Sequence, residues 1–403
     1  MRFIHTADWH IGHELFGHSR SYEHECFLTW LLGRCVEHQP DGLILAGDVF
    51  HHANPSNEAL QQFAKFADQL RTACRQTTII AVAGNHDSPA RFDALTPLVR
   101  DGVHLVGSVP RTSGRFDLDR LLVPCGDGWV LAAPYLRLSD LPTPGGSHSL
   151  ADRMAALYAE VWEASAPLRA ANPCVVTGHL HVLGGELSES ERPTLVGGED
   201  AASINVFPTD AAYVALGHLH KAQSLDNGRI RYSGSPIPLS ATERVYKHQI
   251  ALVDIAKDGA RTVEIIDVPR AIPHLRVPTH GGVAPADAID HLQALAAGLG
   301  LAPDLPEHLK PFVEFHLDLQ TPMPRAAAQL LEDVARSALP VRIVKVITGP
   351  SAQMPLTTPA AGDNLVSHTP HSLFPRAFYQ THQCEPAAEH VAVFNETIKE
   401  VMS

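Results

Sequence analysis

One pattern constrains this chain more than any other: short apolar strands that each end in a polar cluster. The pattern occurs five times, with strands at residues 3–6, 43–46, 78–83, 174–177 and 213–216. In four of the five cases a glycine separates the strand from its polar residues. Helical stretches at residues 23–37 and 57–71 alternate with these strands, and Pro55 and Ser56 provide a start signal for the second. This alternation predicts an α/β fold in which helices cover buried sheets.

The polar clusters contain the side chains that bind divalent metals. In an open α/β sheet, residues just past the carboxyl ends of strands gather at one edge. Glycine before a cluster allows the backbone to turn sharply and to approach a ligand closely. We therefore expect one metal site built from residues of all five clusters: Asp8, His10, Asp48, Asn85, His179, His218 and His220.

The spacing within the clusters suits shared ligation. Alternate residues of an extended segment face the same way, so Asp8 and His10 can reach one cation, as can His218 and His220. The two oxygens of Asp48 can bridge metals that lie ~3.5–4 Å apart. Taken singly, the motifs could be an incidental triplet, a turn-forming aspartate or a helix-capping asparagine. Chance does not readily explain five clusters in the order D-x-H, GD, GNHD, GH, GHxH.

The remaining residues of these clusters are interpreted separately. His86 points away from its neighbour Asn85 and is a candidate for contact with the substrate. Asp87 is expected to accept the ring N–H of His86 and to fix its tautomer, so both are candidate catalytic residues. His181 could belong to the outer shell of the site or to the surface, and His5 within the first strand is interpreted as structural.

In this order the clusters resemble the calcineurin-like metallophosphoesterase superfamily. That resemblance implies a four-layer α/β/β/α sandwich. The segments TADWHIG, AGDVFH, AGNHDS, TGHL, ALGHLH and YSGSPIPLS are similar, more narrowly, to the bacterial SbcD nuclease family over roughly residues 1–255. The resemblance implies that two metals are held by two overlapping sets: Asp8, His10, Asp48 and His220, and Asp48, Asn85, His179 and His218.

Two features of this family pattern stay open. His51 matches a substrate-side histidine of archaeal relatives, whereas bacterial members can carry aspartate there. The YSGSP segment at residues 232–236 could contact phosphate or could be a structural turn.

The resemblance also implies the reaction and its partners. It implies two-metal hydrolysis of DNA phosphodiesters, as a 3′→5′ exonuclease on duplexes and an endonuclease on single strands or hairpins, gated by the ATP cycle of an SbcC-type ATPase. Manganese is the metal that the family implies, and oxygen and nitrogen ligands without thiolate agree with Mn²⁺. Two alternatives remain: a phosphatase or small-nucleotide phosphodiesterase of the same superfamily, and a non-catalytic tether for DNA ends.

Beyond residue 270 the sequence changes in character. Residues 271–349 contain helices at 285–297 and 325–337 and strands at 312–319 and 341–347, which predicts a small α+β module. Its position matches the DNA-capping domain of the family. Residues 350–375 resemble a linker, and a final amphipathic helix over 386–402 matches the family's ATPase-binding segment. We therefore expect domains at 1–270, 271–349 and 350–403, and a homodimer within a heterotetramer.

Composition adds limits on environment and partners. The 403 residues are 45% hydrophobic and 19% charged, without an apolar run that approaches the ~20 residues of a membrane span. The six cysteines are scattered, which indicates reduced thiols and, with a first strand that leads into candidate ligands, a cytoplasmic protein. The net charge of −13 is opposite to the usual footprint of a DNA-binding protein. Affinity for DNA would then depend on metals, local basic patches or a basic partner.

Overall fold

The computed structural model describes residues 1–99, 101–112, 115–142, 149–188, 191, 201–319 and 324–349, together with 386, 390, 391 and 394. The chain divides into two compact units, Met1–Ile272 and Pro273–Ser403.

The first unit contains sixteen strands and six α-helices among its described residues. The strands are β1 (Arg2–Thr6), β2 (Glu14–Leu15), β3 (His18–Ser19), β4 (Gly42–Ala46), β5 (Thr78–Val82), β6 (Val103–Val106), β7 (Arg111–Thr112), β8 (Arg115–Phe116), β9 (Leu122–Cys125), β10 (Gly128–Leu131), β11 (Cys174–His179), β12 (Tyr213–Gly217), β13 (Gln223–Leu225), β14 (Ile230–Tyr232), β15 (Gln249–Ile255) and β16 (Arg261–Asp267). The helices are α1 (Ser21–His38), α2 (Asn57–Ala73), α3 (Pro89–Leu95), α4 (Leu118–Leu121), α5 (Leu150–Ala164) and α6 (Ala166–Arg169).

Two six-stranded sheets form the centre of this unit. Their strand orders are β16-β15-β1-β4-β5-β6 and β13-β14-β12-β11-β10-β9. In the first sheet β1, β4, β5 and β6 are parallel, and in the second β10, β11, β12 and β14 are parallel. All five strands expected from the sequence are present in these parallel segments. Because they are parallel, their carboxyl ends, and the polar clusters that follow, lie at the same edge of each sheet.

Alternate residues of the first sheet pack into two different cores. Phe3 and Ile44 belong to the core shared with the second sheet, whereas Ile4 and Leu43 face α1 and α2. This division follows from the two-residue period of a strand, which sends successive side chains to opposite faces. Both faces are buried, which explains why these strands are almost uniformly apolar.

The outer layers complete a four-layer sandwich. On one side α1 and α2 cover the first sheet, while α5 packs Leu157 and Trp162 into the core of the second. Ser149 begins α5 with a capping box, since its hydroxyl accepts from Asp152 N and the Asp152 carboxylate accepts from Ser149 N, both at 3.1 Å. The expected α/β/β/α arrangement is confirmed.

Helix boundaries agree closely with the sequence expectations. Helix α1 is longer than the expected 23–37, and α2 begins at the expected residue, with Ser56 Oγ accepting from Ala59 N at 3.2 Å. Trp9, which follows β1, packs edge-on against Phe27 of α1 and Phe66 of α2. The loop after β1 is thereby fixed to both helices.

A buried histidine connects the two sheets. His5 of β1 accepts a hydrogen bond from Tyr213 OH at 2.9 Å and donates from Nε2 to Leu216 O at 3.2 Å. Burial lowers the pKa of His5 to about 3, so the ring is neutral in the folded protein. His5 is therefore structural, as its place within a strand indicated.

The second unit has its own sheet and core. Strands β17 (His274–Val277), β18 (Phe312–Asp318) and β19 (Arg342–Gly349) form a parallel sheet in that order, with α7 (Ala288–Gly298) and α8 (Pro324–Arg336). The helix expected at 285–297 begins as a short 3₁₀ turn at Pro285–Asp287, and β17 was not expected from the sequence. The expected linker and most of the expected final helix fall outside the described residues. Beyond residue 349 the structure describes residues 386, 390, 391 and 394, and the last three are helical.

Two further properties concern the helices and the cysteines of the described residues. Within the described ranges, every helix is too short or too polar to cross a lipid bilayer. The five cysteines in those ranges are free thiols: Cys26, Cys35, Cys74, Cys125 and Cys174.

Candidate metal centre

The first part of the site is formed by two loops that run side by side. Asp8 N donates to Gly47 O at 3.0 Å, and His10 N donates to Asp48 O at 3.0 Å. These hydrogen bonds continue the parallel pairing of β1 and β4 beyond the ends of the strands. As a result backbone contacts hold Asp8, His10 and Asp48 next to one another.

Four of the candidate ligands have left-handed backbones. The φ angles are +55° at Asp8, +47° at His10, +51° at Asp48 and +101° at His218. This region is uncommon for residues other than glycine, and such conformations cluster at functional sites because the surrounding structure has to hold them. The strain is located at the residues that the sequence singled out.

Glycines make the close approach of the loops possible. A Cβ atom on Gly84 would strike the backbone N and the carboxylate of Asp48, and one on Gly47 would strike the ring of His179. Gly47 also has a φ angle of +94°, which favours glycine. The glycines that precede the clusters are therefore needed to bring ligands from different strands into contact.

Asp48 lies between two imidazoles from different sheets. Its Oδ2 is 3.4 Å from His10 Nε2 and 3.4 Å from His179 Nε2. Its Oδ1 accepts the backbone N–H of His86 at 2.9 Å, which fixes the orientation of the carboxylate. One oxygen that faces two histidines is well placed for a ligand shared between two cations.

Asn85, His179 and His218 form a second set of donors beside Asp48. Asn85 Oδ1 lies 2.9 Å from His179 Nε2 and 3.2 Å from His218 Nδ1. Because Nδ1 of His179 donates to Ala46 O at 2.9 Å, its Nε2 is the atom that faces Asp48 and Asn85. This set combines atoms from the ends of β5, β11 and β12.

Asp8 supplies the clearest indication that the site fits a cation. It is fully buried, and its Oδ1 accepts from His218 N at 2.9 Å, but Oδ2 has no hydrogen-bond partner among the described residues. A buried, unpaired carboxylate oxygen is costly, and a bound cation would offset that cost. Among the described residues three sets have ligand atoms within 4.8 Å of one another, and Asp8 belongs to two of them: Asp8, His10 and His220, and Asp8, Asp48 and His179.

Burial and neighbouring charges shift the pKa values of the candidate ligands. Burial raises the pKa of Asp8 to about 7. At His179 burial opposes the charged form, but Asp48 and Asp8 outweigh it and raise the pKa to about 9. Burial lowers the pKa of His10 and of His218 well below the usual value. A divalent cation would hold both carboxylates ionised and the histidines neutral, as ligation requires.

Burial and donor type also fit a metal. The six aspartate and histidine candidates expose at most 4% of their surface, whereas Asn85 is half-buried. Asn85 is thus the candidate ligand with most access to solvent. The donors are carboxylate oxygens, an amide oxygen and imidazole nitrogens, a set that suits Mn²⁺, Fe, Zn or Co.

Asp87 makes different contacts from those expected. Its Oδ2 accepts from Gly84 N at 2.9 Å and from Val49 N at 3.1 Å, and its Oδ1 accepts from Phe50 N at 2.9 Å. The expectation that it accepts the ring N–H of His86 was wrong, since His86 Nδ1 donates to the His51 carbonyl at 2.9 Å. Asp87 instead joins the loop after β5 to the loop after β4.

The structure distinguishes the positions of His51 and His181, whose roles the sequence left open. His51 lies at the site, with Nδ1 3.2 Å from His10 Nδ1, and groups with His10 and His86 as a possible set of ligands. His181 Nε2 donates to Gly185 O at 3.3 Å in the loop that follows β11. His51 is therefore part of the polar cluster, while His181 is bound to a neighbouring turn.

Sequence reasoning missed two groups near the site. The buried Glu243 carboxylate accepts from His220 Nδ1 at 3.0 Å, and no strand–glycine pattern precedes it. Tyr135, shortly after β10, donates its backbone N–H to Ala83 O at 2.7 Å, and its ring centroid is 6.4 Å from that of His179. Tyr135 follows a strand end, so the pattern could have identified it if hydroxyls had been considered.

Comparison with known proteins identifies the family to which this architecture belongs. The calcineurin-like phosphoesterase family model matches residues 1–222, more than half of the chain, and this class of metal-dependent phosphoesterases accounts for the fold and for the position of the clusters. The SbcD subunit of nuclease SbcCD from Rhodobacter capsulatus is 39% identical over 394 residues, 94% of each chain. The chain belongs to the SbcD family.

More distant relatives share the same name. The SbcD subunit from Escherichia coli is 34% identical over 284 residues, 67% of this chain and 68% of the relative. The protein of that name from Bacillus subtilis is 36% identical over 270 residues, 64% of this chain and 67% of the relative.

Proposed function

We propose that this chain is the nuclease subunit of an SbcCD-type DNA repair complex and that it hydrolyses DNA phosphodiesters with two divalent cations. The observation that carries the proposal is Asp48 Oδ2, which lies 3.4 Å from Nε2 of both His10 and His179. The choice of DNA is supported by the nuclease name of a relative that is 39% identical over 94% of the chain. The expected activities are 3′→5′ exonuclease on duplexes and endonuclease on single strands or hairpins.

The ligands divide into two sets that share one residue. One cation would be held by Asp8, His10, Asp48 and His220, and the other by Asp48, Asn85, His179 and His218. When bound, the two cations would activate water, orient the phosphate and neutralise its developing charge. The absence of thiolate from both sets favours Mn²⁺ over soft metals.

His86 is the residue that we assign to the substrate. Its ring centroid is 4.6 Å from that of His10, with an interplanar angle of 90°, so it lies against the proposed first metal set. Nδ1 donates to the His51 carbonyl at 2.9 Å, which leaves proton exchange to Nε2. A proton on Nε2 could contact the scissile phosphate or pass to the leaving 3′ oxygen as general acid.

The remaining parts of the chain would serve DNA and the partner. We assign residues 271–349 to DNA capping and residues 350–403 to a linker and a helix that binds an SbcC-type ATPase, within a heterotetramer that contains two copies of this chain. The relatives are named as one subunit of a larger nuclease, which supports a partner. A net charge of −13 also favours dependence on metals or a basic partner for phosphate affinity.

The deciding experiment measures Mn²⁺-dependent degradation of a labelled DNA duplex, with and without the ATPase subunit. Asp48→Asn should abolish cleavage, and His86→Ala should reduce it by about 10²- to 10⁴-fold, the usual contribution of a general acid. Both variants should still bind the ATPase. His38→Ala is the matched control, since this histidine lies in the last turn of α1 and belongs to none of the polar clusters.

Three results would contradict the proposal in different ways. Intact DNA with rapid turnover of small phosphomonoesters would make the protein a phosphatase. Retention of DNA ends by the complex without any cleavage would make it a tether. Unchanged nuclease activity in both the Asp48 and His86 variants would show that the site has been assigned to the wrong residues.

A further inference from the structure

The segment that contains YSGSP packs on the loop that carries His220. Ser235 N donates to His220 O at 3.1 Å, so the segment binds the backbone of that histidine. Gly234 has a φ angle of +76°, and a Cβ atom there would lie 2.7 Å from His220 O and from Ala222 N. The glycine of this motif is therefore needed for contact with the His220 loop.

Seven residues beyond this segment, in a 3₁₀ helix at Thr242–Val245, a buried carboxylate reaches the ring of His220. Glu243 is fully buried, and its Oε1 accepts from His220 Nδ1 at 3.0 Å. Oε2 accepts from Leu239 N at 2.8 Å, whereas the single hydroxyl proton of Ser188 is shared between Glu191 Oε2 at 2.6 Å and Glu243 Oε1 at 3.2 Å. With one donor on each oxygen, from His220 Nδ1 and from Leu239 N, the carboxylate is fixed in an orientation that faces the ring.

Other contacts fix the positions of Glu243 and His220 relative to each other. The buried Arg20 donates from Nη1 to Pro238 O at 2.6 Å, which attaches the segment to the start of α1. Glu191 Oε1 accepts from His220 N at 2.8 Å. The backbone and the ring of His220 are thus held by two different carboxylates.

We infer that Glu243 is a positioning residue for His220 and that the YSGSP segment, through Ser235, holds the backbone of that histidine in place for the contact. When Nδ1 donates to Glu243, the lone pair of the imidazole is on Nε2, and rotation of the ring would break the hydrogen bond. His220 then presents Nε2 as its ligand atom to a cation shared with Asp8 and His10. Carboxylates that bind ligating histidines in this way commonly contribute about 10- to 100-fold to metal affinity.

This inference rests on the proposed metal site, and calorimetric titration with Mn²⁺ can test the two separately. Wild-type protein should bind two Mn²⁺ ions. Glu243→Gln should weaken one binding step by about 10- to 100-fold and leave the other within about twofold. The matched control is Glu314→Gln, because Glu314 is also buried and bonds a histidine, His316, at 2.6 Å in the second unit.

A general structural role predicts a different result. If Glu243 only stabilised the fold, Glu243→Gln would lower the melting temperature and weaken both Mn²⁺ steps or neither. Two Mn²⁺ ions in the wild type with unchanged affinities in Glu243→Gln would overturn the role of Glu243 and leave the proposed function standing. A wild type that binds no Mn²⁺ would instead overturn the proposed function.

A second measurement needs no variant and covers the case in which Glu243→Gln does not fold. In ¹⁵N-histidine spectra of the wild type loaded with Zn²⁺, a diamagnetic substitute, His220 should carry its proton on Nδ1 and bind metal through Nε2. Ligation through Nδ1, or a ring without a proton on Nδ1, would overturn the inference.

Discussion

Asp87→Asn is the most informative substitution, because it separates a chemical role from a role in holding the backbone. The Asp87 carboxylate accepts three backbone N–H groups, from Gly84, Val49 and Phe50, at 2.9–3.1 Å. An asparagine can direct its oxygen at Gly84 and Val49, but its NH₂ group then faces the N–H of Phe50. In the opposite orientation the NH₂ group faces the N–H groups of both Gly84 and Val49.

The size of the effect follows from these contacts. A buried donor left without an acceptor costs about 1–3 kcal/mol, and hydrogen bonds to a charged acceptor are stronger than neutral ones by about 1 kcal/mol each. One unsatisfied donor and two weakened hydrogen bonds together should lower the free energy of unfolding of Asp87→Asn by about 3–5 kcal/mol. Because the three donors belong to the loops that carry Asp48 and Asn85, Mn²⁺ affinity should fall as well.

Urea denaturation of the metal-free protein and calorimetric titration with Mn²⁺ measure the two effects. Asp93→Asn is the control, since Asp93 also binds a loop backbone, at Gly107 N (3.1 Å), but is not a candidate ligand. It should cost about 1 kcal/mol and leave Mn²⁺ affinity unchanged. If Asp87→Asn keeps both stability and Mn²⁺ affinity but abolishes cleavage, Asp87 acts on the reacting groups and the backbone argument is refuted.

Three further outcomes are expected. Chelation should lower the melting temperature and excess Mn²⁺ should restore it, since each site at 100 times its dissociation constant adds about 2.7 kcal/mol; a melting temperature indifferent to Mn²⁺ would count against the site. Burial lowers the pKa of His5 to about 3, so between pH 6.5 and pH 3 the unfolded chain binds a proton on this ring that the folded protein does not. The free energy of unfolding should therefore fall by about 1.4 kcal/mol per pH unit over that range and be unaffected by His5 above pH 6.5. Metal-free His5→Gln should show a shallower acid dependence in thermal denaturation, and an equal slope would refute this. Truncation after Pro370 should weaken co-purification with the ATPase without changing Mn²⁺ affinity, and undiminished co-purification would exclude the terminal helix as the docking element.

The sequence predicts the strands and their clusters because both are local. Buried parallel strands require continuous apolar residues, and the turns that follow require glycine, so each cluster can be recognised within about ten residues. The first strand and the helix that begins at Asn57 show this most directly. Strands β15 and β16 were not identified, although β15 pairs with β1 at the centre of the first sheet.

Contacts between distant segments could not be derived in the same way. Asp87 binds donors 37 and 38 residues earlier in the chain, and its neighbour His86 was the more obvious partner from sequence alone. Glu243 reaches His220 from a short 3₁₀ helix at Thr242–Val245, where no periodic pattern indicates function. Which polar groups meet depends on the relative placement of two sheets, and no local propensity encodes that placement.

The left-handed backbones at Asp8, His10 and Asp48 restrict which amino acids can replace these residues. Asparagine, aspartate and histidine are the non-glycine residues that tolerate this conformation best, and all three also bind metals. Glutamate has the same carboxylate but not the same tolerance, and glycine has the tolerance but no ligand atom. Changing the metal preference of this site by mutation would therefore be limited to about three amino acids at each such position. The backbone conformation imposes this limit whichever metal is intended.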